Sequence, residues 1–281
     1  MAAPHFDRTD AVGRRVRLEA PPRRIVSLVP SLTELLADLD LDDETVGLTR
    51  FCVRPHGWKA RKRIVGGTKT VDPERVRALE PDLVIANKEE NVREQVEAVA
   101  ASCPVWTTDI ATVADAVAAV RDVGALAGRQ PAADGLADRI DAGFAALPES
   151  WPALRALYLI WRDPWMSVGY DTIIADVLDR AGFVSVTDDR SRYPTLQDWE
   201  VRAMAPAVVL LSSEPYPFRD KHVAEVQALT GAVPGGVAPG ARVVLVDGEA
   251  FSWYGSRLLS TPDALRALRQ SLADLAPRPE R

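Results

Sequence analysis

Arg24-Ile25-Val26-Ser27-Leu28-Val29-Pro30-Ser31-Leu32-Thr33-Glu34 contains the unit from which the rest of the chain can be read. Residues 25–29 form an apolar, β-branched run broken by one serine, the pattern of a strand buried on both faces. Ser31-Leu32-Thr33-Glu34 follows as a capping box and predicts a helix running to Leu39. Strand, tight connection and helix make one α/β unit. The unit recurs as strand 46–48, helix 73–79 with Asp72 as N-cap and Pro73 in its first turn, strand 83–86, helix 93–101, strand 105–108, and helix 112–126 stopped at Gly128. A second series predicts strand 155–161, helix 172–180 ending before Gly182, helix 197–204, strand 208–211, helix 220–229, strand 243–246 and a last helix within 262–275. Residues 231–240, rich in Gly and Pro, read as a loop, and the polar first 23 residues as irregular with a hairpin at Gly13.

Between the two series, residues 131–147 carry Leu136, Ile140, Phe144 and Leu147 at helical spacing, one apolar face on one helix. The expectation is therefore an α/β fold of two Rossmann-like lobes joined by a single long backbone helix. The lobes are 1–128 and 150–281, with the connector at 129–149.

At 281 residues the chain is long enough for two such cores. A net charge of −6, with no basic run longer than 59–63, argues against nucleic acid or anionic membrane as a partner. Two cysteines, Cys52 and Cys103, allow neither a disulfide framework nor a four-cysteine zinc site. Cys52 and His56 are four apart, but two residues are a weak metal site, and they read as a buried thiol and a loop imidazole. Cys103 reads as core and His222 as lying on a solvated helix face. The first residues lack the basic and apolar regions of a secretory signal, so the chain as written reads as cytoplasmic, or as an exported protein whose signal has been removed.

Ligands of open parallel sheets bind beyond the carboxyl ends of the strands. In the first lobe those loops hold Ser31, Phe51, His56, Thr68, Lys69, Asn87 and Glu89. In the second they hold Trp161, Trp165, Tyr170, Glu214, Tyr216, Phe251, Trp253, Tyr254 and Arg257. Aromatic residues are 6% of the chain, so their concentration in three second-lobe loops suggests a ligand surface, although any one of them is as easily a core plug. Gly66-Gly67-Thr68-Lys69 lacks the remainder of a phosphate loop and reads as a tight turn, and no nucleophile elbow or dinucleotide fingerprint is present. These residues predict no catalytic set, no metal ligands and no covalently bound cofactor.

The stretch 24–34, with Val46-Gly47-Leu48-Thr49, Val65-Gly66-Gly67, Asp72-Pro73-Glu74-Arg75-Val76 and Leu79-Glu80-Pro81-Asp82-Leu83-Val84-Ile85-Ala86, resembles the first lobe of the helical-backbone metal receptors. These are the class III substrate-binding proteins of ABC importers for cobalamin, haem and ferric siderophores. The resemblance implies a monomer that holds a metal chelate between its lobes without catalysis and delivers it to an ABC permease. It also implies docking through one glutamate per lobe, Glu74 and Glu200, the latter one residue past the expected place, which Trp199 occupies. Cobalamin-binding members have Trp where this chain has Thr68 and Asn87, while Phe51 keeps an aromatic residue at a third position. The alternative is a cytoplasmic protein of the same fold that stores, senses or acts on a small ligand, with Glu89 or Glu214 as an acid–base group.

Overall fold

The computed structural model describes residues 5–149, 151–231 and 240–275. They group into two units, one of residues up to Ile110 with Ala114–Ala142 and Trp253–Leu259, the other of Ala111–Val113, Gly143–Ser252 and the chain from Ser260.

The first unit opens with a hairpin of β1 (Phe6–Thr9) and β2 (Arg15–Leu18), whose turn includes Gly13. The Phe6 ring packs edge-on against Trp106 at 5.3 Å. Then follow β3 (Ile25–Ser27), α1 (Pro30–Asp38), β4 (Thr45–Leu48), α2 (Trp58–Arg61), β5 (Arg63–Ile64), β6 (Gly66–Gly67), β7 (Thr70–Val71), α3 (Pro73–Arg77), β8 (Leu83–Asn87), α4 (Arg93–Ala100), β9 (Val105–Thr108), α5 (Val113–Leu126) and α6 (Gln130–Ala145). Strands β5-β4-β3-β8-β9 form one parallel sheet in that order, and β6 pairs with β7 antiparallel. β3 and β8 are buried at every position, as their unbroken apolar runs require.

Asp72 caps α3 as expected, its carboxylate accepting from the amides of Glu74 and Arg75 at 3.1 and 3.2 Å. Gly128, at φ +69°, ends α5 in the left-handed conformation that a Cβ disfavours. The capping box at Ser31 is not formed. α1 begins two residues earlier, with Val29 as its N-cap and Pro30 in its first turn; valine has no side-chain acceptor to offer, and Pro30 brings no N–H that would need one. Glu34 turns instead to Arg257, which donates to it through Nε at 3.1 Å and through Nη2.

The second unit contains β10 (Leu154–Leu159), β11 (Trp165–Met166), α7 (Ile173–Asp179), β12 (Phe183–Ser185), β13 (Thr195–Leu196), α8 (Asp198–Ala203), β14 (Val208–Ser212), α9 (Asp220–Thr230), β15 (Arg242–Val246), α10 (Glu249–Ser252) and α11 (Thr261–Ser271). β12-β10-β14-β15 form its parallel sheet, and β11 pairs with β13 antiparallel. Leu157, Leu159, Val209, Leu211, Val226 and Val243 build its core. The loop expected at 231–240 lies almost wholly outside the described residues.

One difference from the sequence reading concerns chain order. Trp253–Leu259 belongs with the first unit, although both its flanks belong with the second. Its 3₁₀ turn, Ser256–Leu259, packs on α1, with Leu258 fully buried. A Cβ at Gly255 would lie 3.3 Å from that of Leu35. The chain thus passes between the units again after α6.

Candidate functional site

Each sheet has a point where the strand order reverses, and the connections leaving the two strands there diverge to open a crevice. In the first unit it lies between β3 and β8, in the second between β10 and β14.

In the first unit Asn91 stitches the crevice. Its amide nitrogen donates to the carbonyls of Leu28 at 3.2 Å and Thr68 at 3.1 Å, and its oxygen accepts from the Asn87 amide at 2.9 Å. Asn87 is buried; its oxygen accepts from the amides of Glu89 and Glu90 at 2.9 and 3.0 Å, and its nitrogen donates to Thr108 at 3.1 Å. These two asparagines shape the loop after β8 through local backbone bonds. Ser31 is buried as well, Thr68 and Glu89 are half-buried, and His56, Lys69 and Phe51 are exposed, Phe51 at 53%. Cys52 and His56 sit in different surroundings. The Cys52 sulfur is buried 3.1 and 3.2 Å from the hydroxyls of Thr33 and Thr49, and burial raises its pKa, whereas the exposed His56 ring meets Arg54 at 3.1 Å. Among the described residues no group of three or more His, Cys, Asp or Glu is placed to hold a metal ion.

Trp253, Tyr254 and Arg257, read from the sequence as second-lobe ligand residues, stand in the first unit. Trp253 and Tyr254 are buried, and the Arg257 guanidinium lies 5.6 Å from the Trp253 ring centre. Burial raises the pKa of Glu34, and the paired Arg257 only partly offsets it.

In the second unit the Tyr216 amide donates to the Ile160 carbonyl at 3.3 Å and joins the two loops at the reversal point. Trp161 and Tyr216 meet edge-on at 5.7 Å, and Tyr216 continues onto Phe218 at 4.8 Å and His222 at 5.4 Å. His222 is buried, contrary to the solvated face expected. Its Nδ1 accepts from the Arg219 amide at 2.9 Å and so caps the start of α9, a role the sequence signals only by its place three residues inside the helix. Trp165 is buried and stacks on Phe218 at 6.4 Å, donating to Asp198 at 2.9 Å. Phe251 is buried against Tyr158 at 5.5 Å. Glu214 is half-buried and accepts from the Ser252 hydroxyl at 2.6 Å. Trp161 and Tyr170 remain exposed, at 39% and 63%.

The two glutamates that the resemblance implied for docking stand in different surroundings. Glu74 is exposed, 2.7 Å from Arg77 on its own helix. Glu200 caps α8 by accepting from the Gln197 amide at 2.8 Å and pairs with Arg190 at 2.9 Å; the two contacts lower its pKa. A concavity of about 340 Å³ lies by the first hairpin, around Phe6, Asp7, Ala125 and Gln130, and is lined by none of the predicted site residues. Another, of about 320 Å³, is walled by Arg162, Trp165, Asp198 and Glu225.

Against known proteins, the profile of the family described as "Periplasmic binding protein" matches residues 25–232, most of the chain. An ABC transporter substrate-binding lipoprotein of Bacillus subtilis is 25% identical over 64% of this chain and 63% of its own length. A cobalamin-binding protein of Halobacterium salinarum is 27% identical over 72% of this chain and 57% of its own. The chain thus spans somewhat under two thirds of these relatives. Among solved structures, a periplasmic haem-binding protein in complex with two haems superposes with a TM-score of 0.72 at 26% identity, covering 91% of this chain and 99% of that one. By the extent of the profile match, this chain belongs to the periplasmic binding protein family.

Proposed function

We propose that the chain is a non-catalytic binding protein for a metal chelate, cobalamin-like, haem or a ferric siderophore, serving uptake through an ABC importer. The observation that carries this reading is family membership over most of the chain, joined to relatives whose names specify cobalamin, haem and ABC transport. The crevice loops support it, since they leave large rings, Phe51, Trp161 and Tyr170, facing solvent at or near the carboxyl ends of strands. Ser31, Thr68, Asn87, Trp165, Phe251, Trp253 and Tyr254 then serve mainly as framework. Tyr216, Glu214, Lys69, His56, Glu89 and Arg257 stand closer to the ligand.

The reading brings with it an exported location, periplasmic or at the cell surface, the second of the two that the first residues left open. It also brings a permease as partner, docked through Glu74. Glu200 would have to give up both its cap and Arg190 to take part, so Glu74→Ala should reduce uptake more than Glu200→Gln.

Titration with cyanocobalamin, haemin and a ferric hydroxamate while tryptophan emission is followed tests the reading. At least one should quench saturably, and Trp161→Phe should diminish the change. Flat curves for all three up to high micromolar concentration would refute it.

A further inference from the structure

Phe51 is a large aromatic side chain with half its surface in water, yet it is held in place. A Cβ on Gly67 would lie 2.9 Å from Phe51 Cε2 and 3.1 Å from Arg50 Nε, so both side chains rest on bare glycine backbone. The Arg50 guanidinium sits 5.8 Å from the ring centre and donates to the Thr70 hydroxyl at 3.0 Å. Lys69, one turn along the same hairpin, donates to the backbone carbonyl of Glu89, and its own carbonyl is held by Gln95 at 3.2 Å.

Both cations therefore hydrogen-bond to neutral acceptors. Among the described residues neither has a carboxylate within ion-pair distance, while Lys62, Lys88 and Arg162 pair with Asp42, Asp109 and Glu225. A ligand laid over this surface strips water from two charged groups. A neutral ligand returns nothing for that loss, whereas an anion replaces the lost hydration with charge-assisted hydrogen bonds.

We infer that Arg50, Phe51, Gly67 and Lys69 form a docking face selective for an anionic chelate with a flat aromatic surface, stacked on Phe51 with its carboxylates or phenolates on the two cations. The inference rests on the metal-chelate reading above and narrows it. Two sources share this chemistry, a tetrapyrrole bearing carboxylates and a catecholate siderophore.

The test uses the intact protein with haemin, haemin dimethyl ester, a ferric tricatecholate and cyanocobalamin. Haemin or the tricatecholate should bind more tightly than the ester or cyanocobalamin, and more weakly as salt rises. Arg50→Gln and Lys69→Gln should each weaken that binding about tenfold, the scale of one charge-assisted hydrogen bond, with Arg50→Lys nearer the parent. Preference for haemin assigns a tetrapyrrole and preference for the tricatecholate a siderophore; both uphold the inference. Equal affinity for haemin and its ester, or glutamine variants that bind the anionic chelate as the parent does, would overturn it while leaving the metal-chelate reading intact. Binding of none of the four would remove both.

Discussion

Glu34 is held where a carboxylate is costly, and its pKa lies above the ordinary 4.5 because burial outweighs the guanidinium of Arg257. Asp38 pushes it further up and Arg54 pulls it down. The folded state therefore binds its proton more readily than the unfolded chain. The sign follows: the contribution is fully present below the unfolded pKa and is lost as pH rises through the folded one. Removing Arg257 takes away the charge that makes the ionised form tolerable. Arg257→Met should cost about 2 kcal/mol at neutral pH, where the half-buried Glu34 loses its partner, and clearly less near pH 4, below its raised pKa. Urea denaturation at the two pH values checks this; equal losses would refute it. At the same scale, Cys52 is fully buried and its raised pKa keeps it a thiol. A thiol reagent should modify half-buried Cys103 first in the native protein and reach Cys52 only on unfolding.

The elements owe their positions to different kinds of information. The central strands of both parallel sheets and the longer helices were readable because each is a run of apolar residues at one period, closed by Gly, Pro or an N-capping residue, whereas the edge strands β5 and β12, of two and three residues, were not. β6, β7, β11 and β13 are two residues each, too short to show any period, and were not anticipated. The start of α1 was misplaced because Ser31 and Glu34 match one helix signal while Pro30 matches another, and only the position of Arg257 shows where Glu34 points. Loop aromatics posed the same problem. Phe51, Trp161 and Tyr170 cannot be told from Trp165, Phe251, Trp253 and Tyr254 by composition, since burial depends on which loops pack back onto their sheet. One contact between elements was equally invisible. A Cβ at Gly124 would lie 2.1 Å from that of Ala133, so α5 and α6 touch through two of the smallest residues. Gly124→Val should destabilise by about 2–3 kcal/mol through overpacking, measured as a lower urea midpoint with unchanged slope.

For the whole molecule, the two-series α/β pattern was legible along its length, but the return of Trp253–Leu259 to the first unit was not. Nothing in seven residues says which of two similar folds they complete; Leu258, Gly255 and Arg257 do so only through contact with α1. Cutting the chain where its sequence suggests a boundary should then give a poor domain. A fragment of residues 5–148 lacks the turn that covers Leu35 and partners Glu34. It should unfold at a lower urea concentration than the first unit does in the intact chain, and recover when a peptide of residues 250–261 is supplied. A fragment as stable as the parent would show the turn to be dispensable.

The same return of the chain has a consequence for synthesis. The last piece of the first unit leaves the ribosome only after nearly all of the second has been made, since it begins at Trp253 of 281 residues. Until then α1 is missing the turn that covers it and the partner of its half-buried carboxylate. Under the exported location proposed above such an order is useful, because a nascent chain that cannot finish its first fold stays loose enough to be threaded through a translocation channel.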